Sequence, residues 1–225
     1  MPSAAPPTLP TDPTAITTDI AQSLDKVAQA LHNTATRIRT HPQTLFPALA
    51  LLLTTSSSSS GKLVFAGVGK SYLIGRKLAA TMMSTGTYAV GLHATDALHG
   101  DLGMVRPGDC LVALSYSGAS DEVLALARSA RAKGVSVVGM GRDAASPLGR
   151  LCDAWIECGV EEEMSPEVAA PTCSSAVMMA VGDAVAMMMM HQRCFGQAEF
   201  AKNHPAGELG KTSRDLVKQY EPQEL

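Results

Sequence analysis

The chain has 225 residues and a formal net charge of −3 at pH 7, with no run of basic side chains. This charge predicts that neither a nucleic acid nor a membrane surface is its partner, although a local basic pocket for a small anion remains compatible with it. Hydrophobic residues make up 46% of the sequence, which is enough for one domain with a sizeable core.

The N-terminus shows no targeting signal. No basic residue precedes Lys26, and the segment lacks the apolar core of a signal peptide. Five cysteines are scattered without CxxC spacing, as expected of free thiols in a reducing compartment. The most apolar stretch, residues 178–190, contains Asp183 and is too short to span a bilayer. We therefore expect a cytoplasmic protein.

One domain is predicted to account for nearly all of the chain. Residues 1–13 are rich in Pro, Ala and Thr, a composition that predicts a disordered segment. The domain is expected to cover residues 14–218, followed by a short tail, residues 219–225. It begins with two predicted helices, residues 14–40 and about 43–53. The serine run that follows, residues 56–60, predicts a flexible connector, because consecutive serines neither pack nor favour a helix.

Short apolar runs then alternate with helical patterns. The predicted strands are residues 62–66, 88–92, 110–114, 135–140 and 154–158. The clearest helices among and after them are residues 74–84, 122–132 and 174–191. Strands that alternate with helices predict an α/β fold, in which a parallel sheet is covered on both faces.

Two loops at strand ends are candidate anion sites. Residues 67–71, GVGKS, end the first predicted strand and open a helix, where free N–H groups and the helix dipole attract anions. The segment is neither a Walker A loop nor GxGxxG, because Ala66 and Tyr72 stand where those motifs need glycine. By itself it marks either a ligand site or a tight turn.

The second loop, Ser115–Ser120, places three serine hydroxyls and Gly118 just ahead of another helix. Hydroxyl and N–H donors together can hold a phosphate dianion. Ser120 is equally suited to be an ordinary N-cap, with Asp121 and Glu122 in the first turn of the helix.

Three further segments carry titratable side chains. Residues 93–101 hold two histidines and two aspartates, a density that favours function although the spacing fits no common zinc motif. Residues 161–163, three glutamates, are typical of a solvated acidic run. Residues 204–211 are typical of a loop that leads to the last helix.

Together these segments resemble the SIS (sugar isomerase) domain family, in particular its arabinose 5-phosphate isomerase branch. In order and with matching intervals, the chain contains GVGKSY, IGRKLAATMMSTGT, HATDALHGDLGM, SYSGAS, APTCSSA, GDAVA and HPAGELG. The resemblance extends from about Gly61 to Lys211. It departs from the family pattern at Tyr72, Asp96 and Ala119, where the family has Gly, Glu and Glu. These differences affect the identity of the sugar substrate more than the class of reaction.

The resemblance implies a five-stranded parallel sheet in a flavodoxin-like three-layer sandwich, preceded by N-terminal helices. It implies the reversible isomerisation of D-ribulose 5-phosphate and D-arabinose 5-phosphate through an enediol, with no metal or organic cofactor. It also implies a homo-oligomer, a dimer or a tetramer, with active sites shared between subunits. The methionine-rich helix 174–191 is apolar on more than one face, which agrees with burial in the core or at such an interface. Because few residues follow Lys211, we expect no CBS modules.

The resemblance also assigns the site. It places phosphate contacts on Ser71, Ser115, Ser117 and Ser120, and polar catalytic groups on Lys70, His99, Glu122, Glu163 and His204. A helix N-terminus should lower the pKa of Glu122, whereas closure of its loop against another subunit should desolvate Glu163 and raise its pKa. We therefore expect Glu163 to be the base, Glu122 to orient Lys70, and a histidine to open the sugar ring.

Two other functions remain open at this point. The substrate of the isomerase could be another ketose phosphate, such as a hexulose 6-phosphate. Alternatively, the chain could be a sensor that binds a phosphosugar without turnover. A sensor needs only the serine loop, Ser115–Ser120, to bind a phosphate. The presence of Lys70, Glu122, Glu163 and two histidines therefore favours an enzyme.

Overall fold

The computed structural model describes residues 12–220. Within these residues, five parallel strands form a single sheet in the order β2-β1-β3-β4-β5. The strands are β1 Leu63–Gly67, β2 Ala89–His93, β3 Cys110–Leu114, β4 Ser136–Gly141 and β5 Ala154–Glu157. Each lies within one residue of its predicted bounds. The apolar runs thus identify the strands correctly, and the predicted α/β fold class is confirmed.

Eight α-helices accompany the sheet in the described part of the chain. They are α1 Pro13–Thr40, α2 Pro42–Ser57, α3 Gly69–Ser84, α4 Ala94–Leu98, α5 Asp121–Ala132, α6 Cys173–Gln192, α7 Gln197–Asn203 and α8 Gly207–Tyr220. Helices α2, α3 and α6 cover one face of the sheet, with α1 packed outside them, and α4 and α5 cover the other face. This is the predicted three-layer sandwich.

Helix α6 forms much of the core on its face. By length and composition it could cross a membrane, but half of its apolar stretch is buried inside the fold. Met178 and Met189 are buried in the same core cluster as Leu78 of α3, and each such side chain contributes about 1.5–3 kcal/mol to stability. The one acidic residue of the helix, Asp183, pairs with Lys77 of α3. The helix is therefore packed as a core helix.

The structure corrects the predicted boundaries at the N-terminus. Asp12 caps α1, because its Oδ1 accepts a hydrogen bond of 2.9 Å from the backbone N–H of Thr14. Residues 12 and 13 therefore belong to a capped helix, while the rest of the predicted disordered segment, residues 1–11, lies outside the described residues. The predicted tail begins inside α8, and its residues 221–225 likewise lie outside the described range.

The predicted serine connector is wrong for its first two residues. Ser56 and Ser57 complete α2, and their hydroxyls donate to the carbonyl of Leu53 at 3.1 and 2.8 Å. Ser56 is also buried, and its carbonyl accepts a hydrogen bond from Arg193. Nearer the C-terminus, residues 207–211 start α8 rather than forming a loop, and α7 precedes them.

Candidate active site

The two loops predicted to bind an anion follow neighbouring strands in the middle of the sheet. From β1 the chain continues to α3 on one face, and from β3 it continues to α5 on the other face. Ligands of open parallel sheets bind at such a switch point, beyond the carboxyl ends of the strands. The fold therefore brings residues 67–71 and Ser115–Ser120 to one place.

The first loop is shaped to present backbone N–H groups. Gly69 has φ = 54°, a left-handed conformation that glycine adopts without strain, and it turns the chain directly into α3. The N-cap position of this helix is Val68, whose side chain has no hydrogen-bonding group. The first N–H groups of α3 are therefore available to an anion.

A cavity of about 240 Å³ opens beside this helix start. Lys70 and Ser71 line it from α3, Tyr116 from the second loop, and Ser174 and Ser175 from the first turn of α6. Pockets for drug-sized ligands measure roughly 300–1,000 Å³, so this cavity suits a smaller molecule. A lysine, several hydroxyls and a helix N-terminus favour a small anion in it.

The second loop is a tight turn in which the serines meet. Gly118 has φ = 66°, and a Cβ at this position would lie 2.2 Å from the Ser146 hydroxyl, so only glycine fits. Ser115 is buried, and its Oγ lies 3.1 Å from Oγ of Ser120. Ser120 occupies the N-cap position of α5, but its hydroxyl contacts Ser115 and makes no capping hydrogen bond to the helix. The loop geometry therefore agrees better with a cradle for an anion than with simple capping.

Glu163 is held at the start of α6. Its Oε2 accepts hydrogen bonds from the N–H and the hydroxyl of Thr172, at 2.8 and 2.9 Å, and from the N–H of Ser174, at 3.2 Å. All three converge on Oε2, and Oε1 takes none of them. Ser174 lines the cavity and Glu163 does not, so the Glu163 carboxylate is bound to the backbone of a cavity-lining residue.

In the single chain the pKa of Glu163 is lowered, whereas the rise expected from the sequence depends on closure against another subunit. Partial burial acts to raise the pKa, but hydrogen bonds from Ser174 and Thr172 to the charged form outweigh burial and lower it. The sequence interpretation considered desolvation alone, and it did not foresee that donors at the start of α6 would reach this side chain. Glu163 is therefore fully ionised at neutral pH.

Tyr116, Thr172 and Ser174 were not assigned from the sequence. Thr172 and Ser174 belong to the APTCSSA segment, so its likeness to the family pattern was a usable signal for them. Tyr116 had no such signal. It lines the cavity, and its hydroxyl accepts a 3.1 Å hydrogen bond from the N–H of Val160, which joins the serine loop to the loop that carries Glu163.

Glu122 and His99 are exposed and do not belong to the described residues that line the cavity. Glu122 lies in the first turn of α5, next in chain to the serine loop. His99 follows α4, and three residues later the carbonyl of Leu102 accepts a hydrogen bond from Lys133, at the far end of α5. The chain after β2 thus packs beside α5. Nowhere in residues 12–220 do three His, Cys, Asp or Glu side chains lie close enough to hold a metal ion.

His204 lies at the wrong end of α3 to reach Lys70 in the same chain. Its Nε2 is 3.1 Å from Oγ of Ser84, the last residue of α3, and its ring stacks on Phe200. At about 1.5 Å of rise per residue, Ser84 lies about 21 Å along the helix from Lys70. One chain therefore does not bring together all the predicted catalytic residues.

The anchored carboxylate predicts a stability effect. Replacing Glu163 with alanine should lower the free energy of unfolding by about 0.5–1 kcal/mol, the lower part of the range for lost helix caps, because solvent reaches this site. Since the pKa of Glu163 is lowered, its contribution is present above the ordinary glutamate pKa of about 4.3 and is lost as the pH falls through the lowered value. Urea denaturation at pH 7 and pH 3 measures both effects.

Glutamine is the matched control, because its side-chain oxygen can still accept from Thr172 and Ser174. At pH 7 Glu163→Gln should unfold between the alanine variant and the wild type, because it keeps the hydrogen bonds but lacks the charge that they stabilise. An alanine variant as stable as wild type at pH 7 would show that these hydrogen bonds do not stabilise the start of α6.

Comparisons with known proteins agree with this geometry. The SIS domain family profile matches residues 57–188. The arabinose 5-phosphate isomerase KpsF of Escherichia coli is 36% identical over 194 residues, which are 86% of this chain and 58% of that protein. The arabinose 5-phosphate isomerase GutQ of Salmonella typhi is 43% identical over 150 residues, 67% of this chain and 47% of that protein. The chain thus spans about half the length of these curated relatives.

A solved structure is similar over its whole length. The E. coli CFT073 protein c3406, in complex with A5P, superposes with a TM-score of 0.78 and 37% sequence identity. The match covers 87% of this chain and 100% of that chain. The sheet order, the positions of the two loops and the matched residues lead to one conclusion: the chain belongs to the SIS domain family.

Proposed function

We propose that this chain interconverts D-ribulose 5-phosphate and D-arabinose 5-phosphate through an enediol. The observation that carries the proposal is the small cavity at the switch point, where Lys70 and Ser71 face the helix start that holds Glu163. The names of the relatives KpsF and GutQ, and the A5P complex of the similar structure, support this choice of substrate.

The serine loop and the start of α3 hold the phosphate in this proposal. Ser71, Ser115, Ser117 and Ser120 donate hydroxyls, and the N–H groups of the first turn of α3 add to them. These contacts do not change during the reaction. Their binding energy orients the reacting end of a small, flexible sugar.

Glu163 removes the proton next to the carbonyl and returns it to the neighbouring carbon. Its lowered pKa keeps it in the basic form at neutral pH, so it can accept a proton there. Oε2 is anchored at α6, which leaves Oε1 to meet the substrate. Lys70 stabilises the oxyanion that develops on the substrate, and Glu122 orients Lys70.

The site is completed by a second copy of the chain. His204 lies about 21 Å from Lys70 along α3, so a neighbouring subunit has to supply this histidine, and His99 does not line the cavity of its own chain. Helices α7 and α8, on either side of His204, pack chiefly against each other, and Leu209 of α8 is exposed. Helices α7 and α8 are therefore suited to pack on a second subunit, which supports a dimer or tetramer with shared sites.

We expect a dimeric or tetrameric mass by light scattering at micromolar concentration. A sharper test coexpresses two inactive variants, Lys70→Ala and His204→Ala. If each site combines residues of two subunits, random mixing restores about a quarter of the wild-type activity. A monomeric mass, or coexpressed variants that stay inactive, would contradict a shared site.

A panel of sugar phosphates tests the function itself. The protein is incubated with pentose and hexose phosphates, with and without EDTA, and the products are followed by NMR. The proposal predicts interconversion of the two named pentose phosphates, and EDTA should not affect it. Turnover of a hexulose 6-phosphate alone would identify the other isomerase, and tight binding without any turnover would identify a sensor. The cytoplasmic location expected from the sequence stays a prediction.

A further inference from the structure

Side chains of α1 form ion pairs and hydrogen bonds with the loop that carries Glu163. Lys26 of α1 pairs with Glu162, with Nζ 2.9 Å from Oε2, and donates to the carbonyl of Met164 at 3.2 Å. These two contacts fall on the residues immediately before and after Glu163. The position of the Glu163 backbone is therefore set on both sides by one lysine.

Two further side chains of α1 hold the beginning of the same loop. Arg37 pairs with Glu157, with Nε 3.1 Å from Oε1, and donates to the carbonyl of Gly159 at 3.2 Å. Asn33 donates to Oε1 of Glu161 at 3.3 Å. The hydrogen bonds and ion pairs from α1 thus reach five positions between residues 157 and 164.

The three α1 residues that contact this loop lie on one face of the helix. Spacings of seven and four residues separate Lys26, Asn33 and Arg37, so they project in nearly the same direction from α1. Ala30 lies on this face as well and packs against the core. From the opposite side, the Tyr116 hydroxyl accepts from Val160, so the loop is held between α1 and the cavity.

We propose that α1 is a positioning helix for Glu163: Lys26, Asn33 and Arg37 hold residues 157–164 so that the carboxylate stays bound at the start of α6, beside the cavity. The proposal rests on the proposed function, in which Glu163 acts on the substrate. Helix α1 lies outside residues 57–188, which the SIS domain profile matches. Exposed ion pairs are weak one by one, but several that converge on a short loop shift its equilibrium toward a single conformation.

The test is the double variant Lys26→Ala with Arg37→Ala. Amide hydrogen exchange in residues 157–164 should become severalfold faster, because the loop loses four of its outer contacts. For D-arabinose 5-phosphate, kcat should fall about tenfold, since small displacements of a catalytic group are costly, while KM stays near the wild-type value. Arg37→Lys keeps the cation and should retain most of kcat.

Arg131→Ala is the matched control. Arg131 makes the same kinds of contact on the other face of the sheet, 2.6 Å to Asp153 and 2.9 Å to the carbonyl of Leu151, and it is similarly exposed. This variant should change neither kcat nor the exchange of residues 157–164. If it lowers kcat as much as the double variant does, the effect is general loss of stability and the positioning role is wrong.

The exchange readout separates this inference from the proposed function. Unchanged exchange in residues 157–164 would overturn the inference whether or not the chain is an isomerase. Faster exchange with an unchanged kcat, in an active enzyme, would also overturn it. If the wild type isomerises no phosphosugar, the proposed function fails, while faster exchange in the variant still supports α1 as the support of this loop. If the double variant does not fold, the single variants Lys26→Ala and Asn33→Ala are measured in its place, against the same two criteria.

Discussion

Glu163→Gln should lower kcat for the isomerisation of D-arabinose 5-phosphate by about 10²–10⁴-fold, which is the range expected for loss of a general base. The amide oxygen of glutamine can still accept from Thr172 and Ser174, so the loop and the start of α6 keep their positions. The amide cannot take a proton from the substrate. Phosphosugar affinity, measured by calorimetry, should therefore remain near that of the wild type.

Solvent exchange identifies the base directly. In deuterated water the wild type should exchange the proton next to the carbonyl, and Glu163→Gln should not. Glu122→Gln is the comparison variant, because Glu122 is the other carboxylate assigned to the site and lies beside the serine loop. If Glu163→Gln exchanges at the wild-type rate and Glu122→Gln does not, then Glu122 is the base.

Replacing Ser115 and Ser117 together with alanine should raise KM strongly. Each hydroxyl that contacts the phosphate dianion contributes about 1–3 kcal/mol, so the double variant should bind its substrate at least about 30-fold more weakly. Steady-state kinetics and calorimetry with inorganic phosphate measure this loss. Ser58→Ala is the control, since Ser58 is exposed in the bend after α2.

The two serines differ in what else they do. Ser115 is buried and close to Ser120, so its replacement alone should also lower stability slightly, whereas Ser117 is exposed and its replacement should not. A double variant with unchanged KM and unchanged phosphate affinity would remove the serine loop from the binding site.

The strands of the sheet could be predicted because each is marked by an apolar run within its own few residues. Runs such as Cys110–Leu114 are apolar throughout, as strands buried on both faces must be. The resemblance placed phosphate contacts on both loops, the one after β1 and the one after β3. The structure adds that these strands are adjacent, which makes the two loops neighbours.

Features that depend on distant contacts were missed. Ser56 stays helical where a bend was expected, and its carbonyl is bound by Arg193, far along the chain. The lowered pKa of Glu163 depends on donors at the start of α6. The contacts of α1 with the Glu163 loop join residues more than 120 positions apart, such as Arg37 and Gly159. No local pattern in either segment predicts these contacts.

The positions of the histidines show a different limit. The resemblance assigned His99 and His204 to one site, but sequence order does not say which copy of the chain supplies a residue. The fold separates His204 from Lys70 along the length of α3. In the proposed shared site their meeting depends on assembly, which the local patterning of one chain does not encode.

The most direct test of the central claim follows D-arabinose 5-phosphate and the wild-type protein in deuterated water by NMR. The account predicts that D-ribulose 5-phosphate appears and that deuterium enters carbon 2 of the recovered aldose, because proton removal at that carbon forms the enediol. Glu163→Gln, at the same concentration, should show neither change. Wild-type protein that binds the sugar phosphate but leaves carbon 2 protonated and forms no ketose would contradict the account.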